Sequence, residues 1–301
     1  MMYHIPVLLE ESIEGLNIRE DGIYVDATFG GGGHTAEILK RLGEKGRLVA
    51  FDRDPQAVKN KPEDERVIMI NQDYRYMRNF LKLFRMAPVH GILADLGVSS
   101  HQIDDPQRGF SFRYDARLDL RMNPAGKLTA ARVVNEYSAH ELAGIFREYG
   151  ELNRPARIAK AINEKRTAKS IETTGELRDA LTHLAPKGQE NKFLAKVFQA
   201  LRIAVNDELG SLRELLTQAG QLLTAGGRLA VISYHSLEDR MVKNFMKTGN
   251  PEGILHKDFF GNPERPFRMI TPKPVTPSEK ELNRNKRSRS ARLRIAEKTE
   301  D

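Results

Sequence analysis

The chain contains no cysteine and no tryptophan. Without thiols it can form neither disulfides nor thiolate metal sites, and that composition suits a reducing compartment, so a cytoplasmic location is expected. No uninterrupted apolar run reaches about 18 residues, so no membrane span is predicted and no membrane partner is expected. The N-terminal stretch Met1 to Glu11 lacks a basic start and carries Glu10 and Glu11 too early for a secretory leader. Internal repeats and long low-complexity tracts are also missing. Acids are the scarcer charge: 48 Lys and Arg stand against 41 Asp and Glu, a formal net charge of +7. That excess is compatible with a polyanionic partner, although many basic proteins bind no nucleic acid. What is present is ordinary for a globular protein, with 40% hydrophobic and 30% charged residues over 301 positions, enough for one large domain or two smaller ones.

The stretch around which the chain is organised runs from Tyr24 to Thr35. Ile23, Tyr24 and Val25 suit a short buried strand closed by Asp26, and Gly30, Gly31, Gly32 and Gly33 suit a turn that side chains would obstruct. His34 and Thr35 then open a helix over Ala36 to Leu42. Strand, glycine turn and helix form the first unit of a doubly wound sheet, whose ligands sit at the carboxyl ends of the strands. A P-loop is excluded because no Lys follows the glycines, and a dinucleotide fingerprint fails because Thr35 stands where its last glycine would be. What remains resembles the first motif of S-adenosylmethionine-dependent methyltransferases, an acid (Asp26) followed by a loose G-x-G (Gly30 and Gly32). A donor of that kind carries no phosphates, and its carboxylate can use the helix N-terminus.

Pro6 to Leu16 reads as an amphipathic helix, preceded by His4, which could touch a ligand but is a common surface or capping residue. Arg47 to Phe51 reads as a second strand. It ends at Asp52, a pure acceptor placed for two ribose hydroxyls, while Asp54 caps a helix starting near Pro55. Val67 to Ile70 is a third strand, followed by Tyr74, which either lies against an adenine face or packs in the core. Val89 to Ala94 is a fourth, running into Asp95. That acid has three candidate roles: balancing a sulfonium, accepting from an amine, or capping a turn. Gln102, further on, is either a ligand for the donor's amino-acid end or a loop amide.

Beyond this point the alternation lapses into helices. His140 to Gly150 and the basic Arg154 to Arg166 are amphipathic, Thr173 to Glu176 is a capping box, and Lys192 to Leu209 makes a longer helix. Alternation resumes with a helix from Leu209 to Leu223 stopped at Ala225-Gly226-Gly227, a fifth strand over Arg228 to Ser233, and a helix from Arg240. Tyr234 and His235 follow that strand, Tyr234 as a surface on which a base could stack. A hydrolase triad is rejected for lack of a G-x-S-x-G elbow. Near the C-terminus, Arg284, Lys286, Arg287, Arg289, Arg292 and Arg294 occur without an intervening acid. They read both as a phosphate anchor and, over Ala291 to Ile295, as a half-buried edge strand blunted by its arginines.

Seven ordered blocks after the N-terminal His4 to Glu10 resemble the RsmH (MraW) family. They are Gly30 to His34, Phe51 to Pro55, Asp95 to Ser100, Arg108 to Phe112, Phe198 to Asn206, His235 to Arg240 and Arg287 to Ala291. Members are bacterial methyltransferases that modify the exocyclic N4 of a cytidine in the decoding region of 16S ribosomal RNA. The resemblance implies an α/β fold, a Rossmann-like class I S-adenosylmethionine-dependent methyltransferase sheet over residues 1–105 and 207–301. An inserted helical substrate-recognition domain would occupy 106–206. It implies S-adenosyl-L-methionine held by Gly32, Gly33, His34, Asp52, Tyr74, Asp95 and Gln102. Asp95 and His235 are the expected catalytic residues, and Arg108, Phe110, Arg202, Asn206, Tyr234, Arg287 and Arg289 the expected RNA contacts. No metal is expected. The expected partner is 16S ribosomal RNA in the small subunit, with a homodimer left open. Departures from the family pattern are few: Tyr74 stands where many members have Phe, Ala116-Arg117 where Gly-Pro is usual, and Lys286 replaces a Pro.

Overall fold

The computed structural model describes residues 6–300, so His4 lies outside the described residues. Two compact units are present, one made of the described residues up to Gly97 and from Leu209 onward, the other of Val98–Glu208.

The first unit is built on a seven-stranded sheet. Its strands are β1 (Ile23–Asp26), β2 (Arg47–Phe51), β3 (Val67–Ile70), β4 (Val89–Asp95), β5 (Leu223–Ser233), β6 (Phe267–Met269) and β7 (Arg292–Lys298). Their order is β3-β2-β1-β4-β5-β7-β6. The first five are mutually parallel, and β7 runs antiparallel to both β5 and β6. This is the Rossmann-like, doubly wound α/β sheet expected from the sequence, with helix α1 (Leu9–Leu16) before β1, α2 (Gly33–Arg41) between β1 and β2, and α3 (Met77–Leu83) between β3 and β4. Because parallel strands need covered faces, β1, β2 and β4 are nearly continuous apolar runs instead of alternating ones. Val25, Val49, Ile92 and Val231 join one core cluster, while Tyr24, Leu48, Leu93 and Ile232 join another. Neighbouring residues on each strand thus point to opposite faces. The chain order reverses between β1 and β4, and in open sheets of this kind ligands bind at the carboxyl ends of the strands beside such a reversal.

The second unit is helical, with a separate core. It holds α4 (Ser100–Asp104), α5 (Ala130–Glu136), α6 (Ala139–Glu148), α7 (Pro155–Ala168), α8 (Thr174–Leu181) and α9 (Glu190–Asn206). Thr173 and Glu176 close the predicted capping box, each side chain accepting from the other's backbone N–H at 3.2 Å. The remaining helices are α10 (Glu208–Leu222), α11 (Ser236–Thr248) and α12 (Glu279–Arg284).

Several local expectations are corrected. The helix expected near Pro55 is only a short 3-10 turn, Ala57–Asn60. Left-handed Asp207 (φ 46°) separates α9 from α10, where one helix to Leu209 was expected. Gly226 and Gly227 do not terminate a helix but lie inside β5, where the register against β4 shifts between Val89 and Gly91. The helix after β5 starts four residues before the expected Arg240, because His235 caps it. Strand β7 is interior, flanked by β5 and β6, so its arginines do not blunt an edge. Arg294 is 5% exposed and donates from Nε and Nη2 to Asp239 at 2.7 and 3.1 Å, and Arg292 shares that carboxylate at 3.1 Å. The Arg294 charge is therefore committed inside the protein, whereas Arg292 is paired at the exposed surface. Among the described residues no helix is long and apolar enough to cross a membrane.

Candidate active site

The glycine turn is assembled by its acids. Asp26, at the end of β1, accepts from the Thr28 backbone N–H at 3.1 Å and the Thr35 hydroxyl at 2.7 Å. It thereby ties the entry of the loop to the first turn of α2. Burial drives its carboxyl up to about 6, against the two hydrogen bonds that favour the anion. Gly32 sits at the N-cap of α2 with φ 76°, and a Cβ there would lie 2.9 Å from the Phe29 ring. Both the conformation and the close approach therefore require glycine. Gly33 is equally crowded, with Pro6 Cγ 2.1 Å from where its Cβ would be. His34 lies within the first turn of α2, buried, with Nε2 3.2 Å from the Val7 carbonyl. That contact fastens the segment before α1 to the loop.

Asp52 faces the turn from the end of β2. Its Oδ2 accepts from the Gly30 N–H and its Oδ1 from the Asp54 N–H, both at 2.8 Å. Burial raises its carboxyl above the usual range, opposed by those two backbone donors. Asn71 donates to the Asp52 carbonyl at 2.8 Å and Asn60 to the Gly30 carbonyl at 3.2 Å, so the β2 end, the β3 end and the glycine loop form one hydrogen-bonded rim. Tyr74 begins the 3-10 turn Tyr74–Tyr76 after β3 and is 7% exposed within the core.

The ends of β4 and β5 meet through Asp95 and Tyr234. The Tyr234 hydroxyl donates to Asp95 Oδ1 at 2.7 Å, and the Asp95 backbone N–H donates to the Thr28 hydroxyl at 2.6 Å. Asp95 is thereby coupled to the glycine loop. Thr28 had no distinguishing signal in the sequence. Burial pushes the Asp95 carboxyl up to about 7, with the charges of Asp26, Glu238 and Glu281 adding to it and the Tyr234 hydrogen bond holding it down. Burial, followed by the Asp95 charge, raises the Tyr234 phenol well above its ordinary value, so it stays a donor at neutral pH. His235 is the N-cap of α11. Its Nδ1 accepts from the Glu238 N–H at 3.4 Å, and Glu238 Oε2 accepts from the Tyr234 N–H at 2.9 Å and the His235 N–H at 3.4 Å. The spacing of a capping box, His235-x-x-Glu238, was legible in the sequence had histidine been admitted as a cap. The His235 Nε2 lies 3.3 Å from Glu238 Oε1 but has no hydrogen-bond partner among the described residues.

Arg287 and Arg289 lie exposed on the 3-10 turn Lys286–Ser290. The other sequence-selected residues belong to the second unit. Gln102 is buried in α4, its side-chain oxygen accepting from the Ser99 N–H at 3.1 Å in a second reciprocal cap. Arg108 donates to the Arg121 and Met122 carbonyls at 2.9 and 2.8 Å and lies over the Phe110 ring. Arg202 forms a two-pronged pair with Glu208 at 2.8 and 2.9 Å. Asn206 binds the Met122 N–H and the Leu120 carbonyl, each at 2.7 Å. These groups serve the internal order of their unit.

The sheet, the glycine turn and the carboxylates at three adjacent strand ends define a doubly wound α/β protein whose candidate site lies at the switch in strand order. The chain belongs to the MraW methylase family, whose family model matches residues 1–299. It is 54% identical over 297 residues to the ribosomal RNA small subunit methyltransferase H of Parabacteroides distasonis, covering 98% of this chain and 97% of that one. It is 52% identical to the protein of the same name from Cytophaga hutchinsonii, covering 99% of this chain and all 100% of that one. Among solved structures, an rRNA methylase from Streptococcus thermophilus aligns over 100% of both chains with a TM-score of 0.44 and 13% identity.

Proposed function

We propose that this protein is an S-adenosylmethionine-dependent methyltransferase that methylates the exocyclic N4 of a cytidine in 16S ribosomal RNA, within the decoding region of the small subunit. The reading rests on family membership, on relatives named for small-subunit ribosomal RNA, and on one structural observation: Asp95, at the end of β4, has its carboxyl, raised by burial to about 7, held by the Tyr234 hydroxyl, and its backbone N–H held by Thr28.

The rim at β1 and β2 suits the donor. Asp52 spends two of its roughly four acceptor sites on backbone N–H groups, which leaves lone pairs for a pair of ribose hydroxyls. Gly32 and Gly33 let Phe29 and Pro6 pack directly against the loop backbone, which fixes the start of α2 beside that rim. When bound, the donor supplies an electrophilic methyl on a sulfonium. Asp95 would then serve the acceptor. Its Oδ1 is held by the Tyr234 hydroxyl, and its Oδ2 makes no hydrogen bond among the described residues. An N4–H of an unstacked cytosine can donate to Oδ2, which strengthens the nitrogen as a nucleophile and fixes its direction of attack. As the N4–CH3 bond forms, the methyl–sulfur bond breaks with its electron pair left on sulfur, and the nitrogen becomes cationic and sheds one proton. A carboxylate with a pKa near 7 takes that proton readily at neutral pH.

His235 caps α11 and so places Tyr234 and Glu238, a positioning role, while Arg287 and Arg289 offer charge for the RNA backbone. Gln102, Arg108, Phe110, Arg202 and Asn206 shape the helical unit, read here as the substrate-recognition part. Nucleoside mass spectrometry of ribosomal RNA from cells lacking the protein tests the proposal. The expected result is loss of one N4-methylated cytidine, restored by the wild-type chain and not by Asp95→Ala. Unchanged N4-methylcytidine would refute it.

A further inference from the structure

Between α11 and β6 the chain makes a projecting hairpin. The Asp258 N–H donates to the Asn262 carbonyl at 2.9 Å and the Glu264 N–H to the His256 carbonyl at 3.0 Å, and residues 254–265 are all exposed. At its tip, Phe259 is 97% exposed and Phe260 83%, their rings packed edge to face with centroids 5.6 Å apart. The tip is not loose. The Asp258 carboxylate accepts from the backbone N–H groups of Phe260 and Asn262, both at 2.8 Å, and from the Asn262 side chain at 3.1 Å. Three donors therefore hold the turn in the shape that drives both rings into water. Nothing in the donor rim or at Asp95 uses them.

Two rings at the end of a narrow finger are the wrong shape for a flat apolar interface but the right one for insertion among bases, since every base offers a π-face and apolar wedges enter base stacks. Lys257 and Arg265 are exposed on the two arms and form no ion pair among the described residues, with Glu264 exposed beside Arg265, and the Asp258 oxygens are turned to their own turn. We infer that Phe259 and Phe260 form a preorganised stacking finger for unpaired bases of the RNA substrate, with Lys257 and Arg265 supplying backbone phosphate contacts. This rests on the proposed RNA methyltransferase reading and adds to it a contact remote from the methyl-transfer chemistry.

The test uses the full chain carrying Phe259→Ala and Phe260→Ala together, compared with Leu and Trp at the same positions. Affinity for a fluorescein-labelled single-stranded fragment of small-subunit ribosomal RNA is measured beside steady-state methylation. Stacking energies predict that the Ala variant loses about tenfold or more in RNA affinity, with KM for RNA rising in parallel and kcat unchanged. The Trp variant should bind like wild type and the Leu variant like Ala. Unchanged donor binding by calorimetry in the Ala variant shows that its fold is intact. Equal RNA affinity in wild type and Ala variant would overturn the inference, as would full rescue by Leu, which would make the finger an apolar dock for protein. Selective loss of sedimentation with anionic vesicles would assign it to a lipid surface and overturn it as well. Failure of the methyltransferase reading shows up separately, as absent turnover by wild type, and leaves the binding comparison decisive.

Discussion

Removing the Tyr234 hydroxyl isolates what it does to Asp95. The hydroxyl donates to Oδ1 at 2.7 Å and holds the carboxyl down, against burial and the charges of Asp26, Glu238 and Glu281. A hydrogen bond to a charged group contributes roughly 1.5–3 kcal/mol, and 1.36 kcal/mol is one pKa unit, so Tyr234→Phe should raise the Asp95 pKa by about one unit or more. Starting from about 7, the ionised fraction at pH 7 falls from about one half to about one tenth for a one-unit rise. The acid limb of kcat/KM for the donor, which reports the free enzyme, should move up by that unit. Activity should drop about fivefold at pH 7 and nearly recover by about pH 9, where both forms are ionised. The phenol of the wild type does not interfere, because its own pKa lies well above the ordinary value. Carbon-detected NMR of the labelled carboxyl gives the same shift without turnover. A rate loss of equal size at every pH would refute the reasoning, since Tyr234 would then act by contact and not through Asp95.

Gly32→Ala forces a side chain into a φ of 76° against the Phe29 ring. A loss of about 1–3 kcal/mol in unfolding free energy is expected by denaturant titration, with at least tenfold weaker donor binding by calorimetry. Asp239→Ala leaves buried Arg294 without its partner. It should destabilise the protein by about 3 kcal/mol or more, read from urea unfolding. Arg287→Ala with Arg289→Ala should lower the log-log salt slope of RNA binding by about 0.7 per residue on single strands, whereas a conservative Arg294→Lys should leave the slope unchanged.

The sequence was most readable where one signal had one physical source. The apolar runs of β1, β2 and β3 fall at the expected residues, because buried parallel strands exclude polar residues on both faces. Signals with two sources misled. Gly226 and Gly227 suit a helix end as well as a strand irregularity, and only pairing with β4 distinguishes them. The alternation from Arg292 to Ile295 suggests one buried face, but β7 is buried on both faces from Leu293 to Ala296, with Arg294 at 5% exposure. Alternation names faces and not neighbours, so the interior place of β7 and the pairing of Arg294 with Asp239, 55 residues away, were not legible. The same limit applies to the site. Asp52 and Asp95 were selected for their positions at strand ends, but Thr28 as the tie between the loop and Asp95 depends on the sheet order that sets β1 beside β4.

That order has an energetic consequence. Strands β2, β1 and β4 are neighbours, so Asp52, Asp26 and Asp95 end side by side, and burial raises all three carboxyls. Mutual repulsion adds to it: Asp52 raises Asp26, and Asp26 raises Asp95. Ionisation of Asp95 is thus disfavoured in the folded protein, and its stabilising contribution is complete below the unfolded value of 3.8 and lost as pH rises through about 7. A cation lodged beside Asp95 reverses this by favouring the anion. Binding of S-adenosylmethionine at pH 7 should therefore release up to about half a proton per site, because Asp95 begins about half protonated. S-adenosylhomocysteine, a neutral thioether at the same atom, should release much less. Calorimetry in buffers of different ionisation enthalpy measures both numbers. Equal proton release by the two ligands would mean that the sulfonium does not lie within reach of Asp95, and the proposed role of that carboxylate would fail with it.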